Sequence, residues 1–171
     1  MPAITTARLR SLLLAATALV VPCAASAFAQ CTGSIQTNVT QVSISTGGVQ
    51  PLQLSVAPAD TNMKWQLIGS FGVDHPTPWF AYGGLRLNSD RYMLRMLNGH
   101  RGFVQGGLDG IVGGVVVPFD PAGQARLQVV IPPGLPSSFI GRTLHHGMYH
   151  IDPIDLLPRC GTGTVALTLV P

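Results

Sequence analysis

Residues 124–131 set the strongest constraint on this chain. Ala125, Leu127, Val129 and Ile131 are apolar, with Arg126 and Gln128 between them. An apolar side chain at every second position gives an extended strand one dry face and one wet face, and no helix sorts such a pattern. The same alternation returns at Val42 and Ile44 before Gly47-Gly48, at Leu52, Leu54 and Val56, at Met63, Trp65 and Leu67, and at Val165, Leu167 and Leu169. It also appears at Tyr92, Leu94 and Met96, where it ends at Asn98-Gly99, a strong hairpin signal. Each segment is read as a half-buried antiparallel strand.

Composition supports this reading. The chain has one lysine (Lys64) and no glutamate, with 20 Gly and 14 Pro among 171 residues. Glu and Lys are strong helix formers, whereas Gly and Pro punctuate turns, so a helical bundle is excluded. Hydrophobic residues make up 46% and charged residues 10%, which excludes a disordered chain. Asp120-Pro121-Ala122-Gly123 carries β-turn chemistry, and Pro132-Pro133-Gly134-Leu135-Pro136 must be a loop. Short strands at near-regular spacing predict an all-β fold, an antiparallel β-sandwich of immunoglobulin-like or jelly-roll-like type in one domain. Ser70 to Leu87 is the least regular stretch and is expected to be a long surface loop.

The first 29 residues read as a secretory signal. Arg8 and Arg10 precede the apolar run from Leu12 to Val21, and small residues follow up to Ala29. Ten apolar residues fall well short of the roughly 20 that span a bilayer, so no transmembrane anchor is expected in the mature chain, 30–171. Cleavage removes Arg8 and Arg10, so the 10 basic residues become 8 against 7 acidic ones, a net charge of +1. The remaining basic residues are scattered and make no nucleic-acid footprint. Localisation is therefore outside the cytoplasm: extracellular, at the cell surface or in the periplasm. Cys23 leaves with the signal, and Cys31 and Cys160 are expected to pair as a disulfide across the mature chain.

No motif dictates a reaction. His145, His146 and His150 invite a metal reading, but adjacent residues of a strand face opposite ways. His146 and His150 share a face about 13 Å apart, too far for one ion. They are read as structural histidines, with Leu144 and Met148 as face-mates. No metal or other cofactor is expected. Gly69-Ser70-Phe71-Gly72 is not a nucleophile elbow, and Asp74-His75 precedes Pro76 as ordinary turn chemistry. Asp60, Asp90 and Asp109 sit beside turn residues and fit capping or turn-stabilising roles. Trp79, Phe80 and Tyr82, in the irregular Gly- and Pro-rich stretch, are the candidate binding residues, because rings with polar handles serve recognition.

Several patches together resemble a known module. They are Ser45-Thr46-Gly47-Gly48-Val49-Gln50-Pro51-Leu52, Leu67-Ile68-Gly69-Ser70, and Leu85-Arg86-Leu87-Asn88-Ser89-Asp90-Arg91-Tyr92. Pro132 to Pro136, leading to Gly141-Arg142-Thr143-Leu144-His145-His146, and Val165 to Pro171 complete the set. They resemble a recurrent, uncharacterised β-sandwich module of bacterial secreted proteins, often C-terminal in larger extracellular proteins. The resemblance implies an extracellular β-sandwich and carries no active-site residue.

The reading is a secreted, non-catalytic protein with a binding or structural role at or outside the cell surface. Its expected partners are cell-envelope glycan, extracellular polymer or another secreted protein, and not nucleic acid. The second reading is a small extracellular hydrolase or metal-binding protein using His75 or the His145, His146 and His150 region. If the strand at Val165 to Val170 lies at a sheet edge, its alternating apolar pattern would let it pair with another copy or a donor strand.

Overall fold

A computed structural model describes residues 32–73, 80–82, 85–98, 100–108, 114–151, 154 and 158–171, with only the backbone described at 80–82, 86 and 158–160. In chain order the elements are β1 (Ser34–Gln36), β2 (Gln41–Ser43), β3 (Gly48–Ser55), β4 (Lys64–Ser70), β5 (Phe80–Tyr82), β6 (Leu85–Leu87), α1 (Arg91–Leu97), β7 (Val104–Gln105), β8 (Val115–Val116), β9 (Gln124–Ile131), β10 (Thr143–Ile151) and β11 (Pro158–Val170). They form a four-stranded sheet in the order β1-β3-β9-β7, a five-stranded sheet in the order β2-β11-β10-β4-β8, and the hairpin β5-β6. The inner residues of both large sheets belong to one buried cluster, consistent with a β-sandwich.

The four-stranded sheet follows the alternation. In β9 the residues from Gln124 onward run exposed, buried, exposed, buried, and β3 does the same around Leu52 and Leu54. The turn before β9 is the expected one: Gly123 N–H donates to Asp120 O, and Gly123 has φ +77°. The Asp120 carboxylate accepts from the backbone of Ala122 and Gln124. Pro132 to Pro136 is a loop, as expected.

The five-stranded sheet departs from the two-face pattern, because its middle strands are covered on both sides. Every residue of β4 after Lys64 is buried. On β10, Gly147 and Tyr149 are buried as well as Leu144, His146 and Met148. The cover on the outer face is the β5-β6 hairpin, which packs on β10 and β11. Leu85 reaches so close to Gly147 that an added Cβ there would lie 2.3 Å from Leu85 Cδ1. Leu85 and Leu87 are fully buried, each contributing roughly 1.5–3 kcal/mol. This corrects the expectation of a surface loop throughout 70–87: its C-terminal part is core.

Three further expectations are corrected. The Tyr92, Leu94, Met96 segment is helix α1, not a strand. Asp90 caps it, Oδ1 accepting from Met93 N–H at 2.9 Å. Tyr92, Met93 and Met96 are buried while Leu94 is 44% exposed, which is one face of a helix. Asn98, read as part of a hairpin turn, instead ends the helix, its N–H bonded to Leu94 O and Arg95 O. Second, β11 is not an edge strand: it lies between β2 and β10. Third, the sheets are not wholly antiparallel, since β2 runs parallel to β11 in the register Thr168↔Gln41 to Val170↔Ser43.

The chain therefore changes sheet between β1 and β2. Gln50, fully buried on the inner face of β3, serves this crossing. Its Nε2 donates to Val39 O (2.7 Å) and to Ala166 O of β11 (3.0 Å), two carbonyls at the point where the chain passes from one sheet to the other.

Candidate functional site

β10 aims its histidines in alternating directions. Gly69 of β4 stands opposite His146, and an added Cβ at Gly69 would meet Tyr92 Cε1 at 2.6 Å and His146 Cδ2 at 2.7 Å. A bare glycine thus makes room for two rings. Tyr92, from the first turn of α1, bonds His146 between Oη and Nε2 at 2.8 Å, with the rings edge to face. Phe71 and Phe103 flank Tyr92 at 5.5 and 5.7 Å between centroids. Burial away from water, reinforced by neighbouring His145, pushes the His146 imidazole down to about 3. Burial likewise drives the Tyr92 phenol well above its usual value, against the pull of the Phe103 backbone. His146 is therefore a neutral ring sealed in the core, and it has no path to a substrate.

His150 is separate. It lies beside Trp65 (6.0 Å between centroids), its Nδ1 3.3 Å from Lys64 O. His146 and His150 share the β10 face, as expected, but their neighbours differ and they do not converge. Among the described residues, no group of three or more His, Cys, Asp or Glu could hold a metal ion.

Ser70, Asp90 and His145 come closest to a hydrolase set. His145 stands opposite Ser70 in the ladder, and Ser70 Oγ lies 2.9 Å from Asp90 Oδ2. The hydroxyl also sits 2.9 Å from Gly72 O and Asn88 O, and accepts from Gly72 N–H. Asp90 Oδ2 further accepts from Phe71 N–H. A fully buried hydroxyl held among three acceptors ties β4 to the start of α1; it is not presented as a nucleophile. Asp90 caps α1, the first of the two roles its position allowed. Asp60 accepts at Oδ2 from Thr32 Oγ1, and its backbone carbonyl accepts from Trp65 Nε1.

Trp79, His75, Asp74, Asp109 and Cys31 lie outside the described residues, and Phe80, Tyr82 and Cys160 are described only in their backbone. Phe80 pairs with Leu87 and Tyr82 with Leu85 in the hairpin, while Cys160 pairs with His150.

The outer face of the four-stranded sheet was not singled out by the sequence. Register aligns its side chains into rows across the strands. Gln36 pairs with Gln53, which pairs with Arg126. Pro51 pairs with Gln128, which pairs with Gln105, and Gln128 Nε2 donates to Gln105 Oε1 at 3.3 Å. At the β1 end of these rows is a cleft of about 190 Å³ lined by Gln36, Thr37, Asn38, Pro51 and Gln53. Arg126 is the one charged side chain among the described outward positions of this sheet. A glutamine on a wet strand face carries no signal of its own; only cross-strand register reveals the rows.

No family model and no curated protein sequence matches the chain. Among solved structures it is similar to HBP35 of Porphyromonas gingivalis, with a TM-score of 0.46 at 10% identity, over 81% of this chain and 41% of that one. The chain thus spans less than half the length of that protein. Among the described residues, no helix is long and apolar enough to cross a membrane.

Proposed function

We propose that this protein is a secreted, non-catalytic β-sandwich that acts by binding at or outside the cell surface, as an immunoglobulin-like member of the bacterial secreted module its sequence resembles. One observation carries the non-catalytic reading: His146, the core histidine of β10, is sealed against Tyr92 with no exposed surface. Asp90, the carboxylate that tethers the start of the helix carrying Tyr92, is engaged in capping α1 and in tying β4 to it. The polar outer face of the four-stranded sheet, in contrast, is open. The strand orders β1-β3-β9-β7 and β2-β11-β10-β4-β8 support the immunoglobulin-like form of the sandwich over the jelly-roll-like one.

Residues 1–29 act as the export signal in this reading, and Cys31 pairs with Cys160. Support for the pairing comes from the chain beside it. An added Cβ on Gly33 would lie 3.0 Å from Thr162 Cγ2, so the chain two residues after Cys31 touches β11 two residues after Cys160. In the chain-entropy model a loop this long stabilises by about 4–5 kcal/mol. Two free thiols in the exported protein, by mass spectrometry without reductant, would remove this element.

The test of function is a glycan array alongside a broad hydrolase panel on the purified protein. Saturable binding without turnover is expected. Turnover that disappears in His145→Ala or His75→Ala would establish the hydrolase reading instead.

A further inference from the structure

We infer that the cleft lined by Gln36, Thr37, Asn38, Pro51 and Gln53 is a subsite for one ring of a neutral hexose polymer, whose chain continues over the glutamine rows of the same sheet. This deepens the binding reading above and rests on it.

The lining chemistry selects the ligand class. Gln36, Asn38 and Gln53 each present a carboxamide, which offers a donor and an acceptor side by side. That pairing fits adjacent hydroxyls on a sugar ring, each of which also donates and accepts. No hydrogen bond among the described residues engages these three amides. They are therefore available without first breaking an internal contact. Pro51, the apolar member of the lining, gives a flat ring against which the C–H face of a sugar can lie. The cleft, about 190 Å³, is on the scale of a small ring-sized ligand rather than of a folded peptide.

Charge argues for a neutral ligand. The cleft lining contains no ionisable side chain, and an acidic polymer would find only Arg126 along the row Gln36–Gln53–Arg126. The rows supply the continuation. Successive strands lie about 4.8 Å apart, close to the advance of an extended hexose chain per ring. Gln53 and then Arg126 follow Gln36 at that step, and Gln128 and Gln105 follow Pro51 in the neighbouring row. Each amide along a row therefore meets a new ring of a chain laid across the strands.

The experiment is isothermal titration of the purified protein with cellohexaose, maltohexaose, laminarihexaose and chitohexaose, with oligogalacturonate as the acidic comparison. Saturable binding of at least one neutral hexamer is expected, stronger than that of its dimer. Gln53→Ala and Asn38→Ala should each weaken it about fivefold or more, the loss of one or two net hydrogen bonds. Both positions are on the surface, and unchanged thermal melting will show that the variants remain folded. Absence of binding by every neutral hexamer, or preference for oligogalacturonate, would overturn the inference. Binding unaffected by both variants would also overturn it, while leaving the broader binding function in place at another surface.

Discussion

Tyr92 Oη lies 2.8 Å from His146 Nε2, joining the first turn of α1 to the centre of the five-stranded sheet over the bare Cα of Gly69. The other ring nitrogen, Nδ1, is buried without a hydrogen-bond partner. The contact is thus satisfied on one side only and suits a neutral ring.

This makes stability depend on pH in a stated direction. The unfolded chain takes up a proton on His146 near pH 6.5, whereas the folded ring resists until about 3. Between those values the unfolded state binds more protons, so stability falls on acidification and is recovered as pH rises. The slope approaches about 1.4 kcal/mol per pH unit from this group alone. Urea unfolding at pH 7, 6 and 5 should show it, and His146→Phe should flatten the difference. An equal pH dependence in that variant would refute the assignment.

Tyr92→Phe removes the hydrogen-bond partner that His146 has among the described residues and leaves its Nε2, like Nδ1, buried without a bond to them. The expected loss is about 1–3 kcal/mol, read as a lower urea midpoint with unchanged slope.

Two glycines give a paired test of the hairpin cover. Gly147→Ala forces a methyl against Leu85 and should destabilise by about 1–3 kcal/mol, as overpacked cores do. Gly163 on β11 has nothing within 4 Å of an added Cβ, so Gly163→Ala should be neutral or slightly stabilising. Equal thermal shifts in the two variants would contradict the packing of Leu85 on Gly147.

Gln50→Met keeps the length of the side chain but removes the donor to Ala166 O and the shorter of the two side-chain bonds to Val39 O, which keeps only the Thr37 hydroxyl at 3.3 Å. A loss of about 1–3 kcal/mol is expected in chemical unfolding, with native circular dichroism retained.

These contacts show how far residue order alone carries. The strands whose outer face meets water, β3 and β9, read directly, because one alternating face was wet. The strands β4 and β10 did not read as doubly buried, since Gln66, Ser70 and Tyr149 are polar residues buried with partners, among them Tyr149 Oη to Gln66 Oε1 at 2.9 Å. α1 was misread because Tyr92 and Met96 are four apart, a spacing that suits a strand face and a helix face equally. The decisive mark is Asp90, read only as a capping or turn-stabilising residue, three positions before Met93. The histidine spacing put His146 and His150 on one face four residues apart, but nothing in the order of residues placed Tyr92 against His146. The glutamine rows were illegible for the same reason: they exist only once β1, β3, β9 and β7 are in register.

The parallel seam between β2 and β11 bears on when this protein can become folded. β11 holds the middle of its sheet, yet it is synthesised after both of its neighbours, β2 and β10. Until β11 is made, β2 and one long border of β10 lack their partner, so this sheet is completed only by its last strand in chain order.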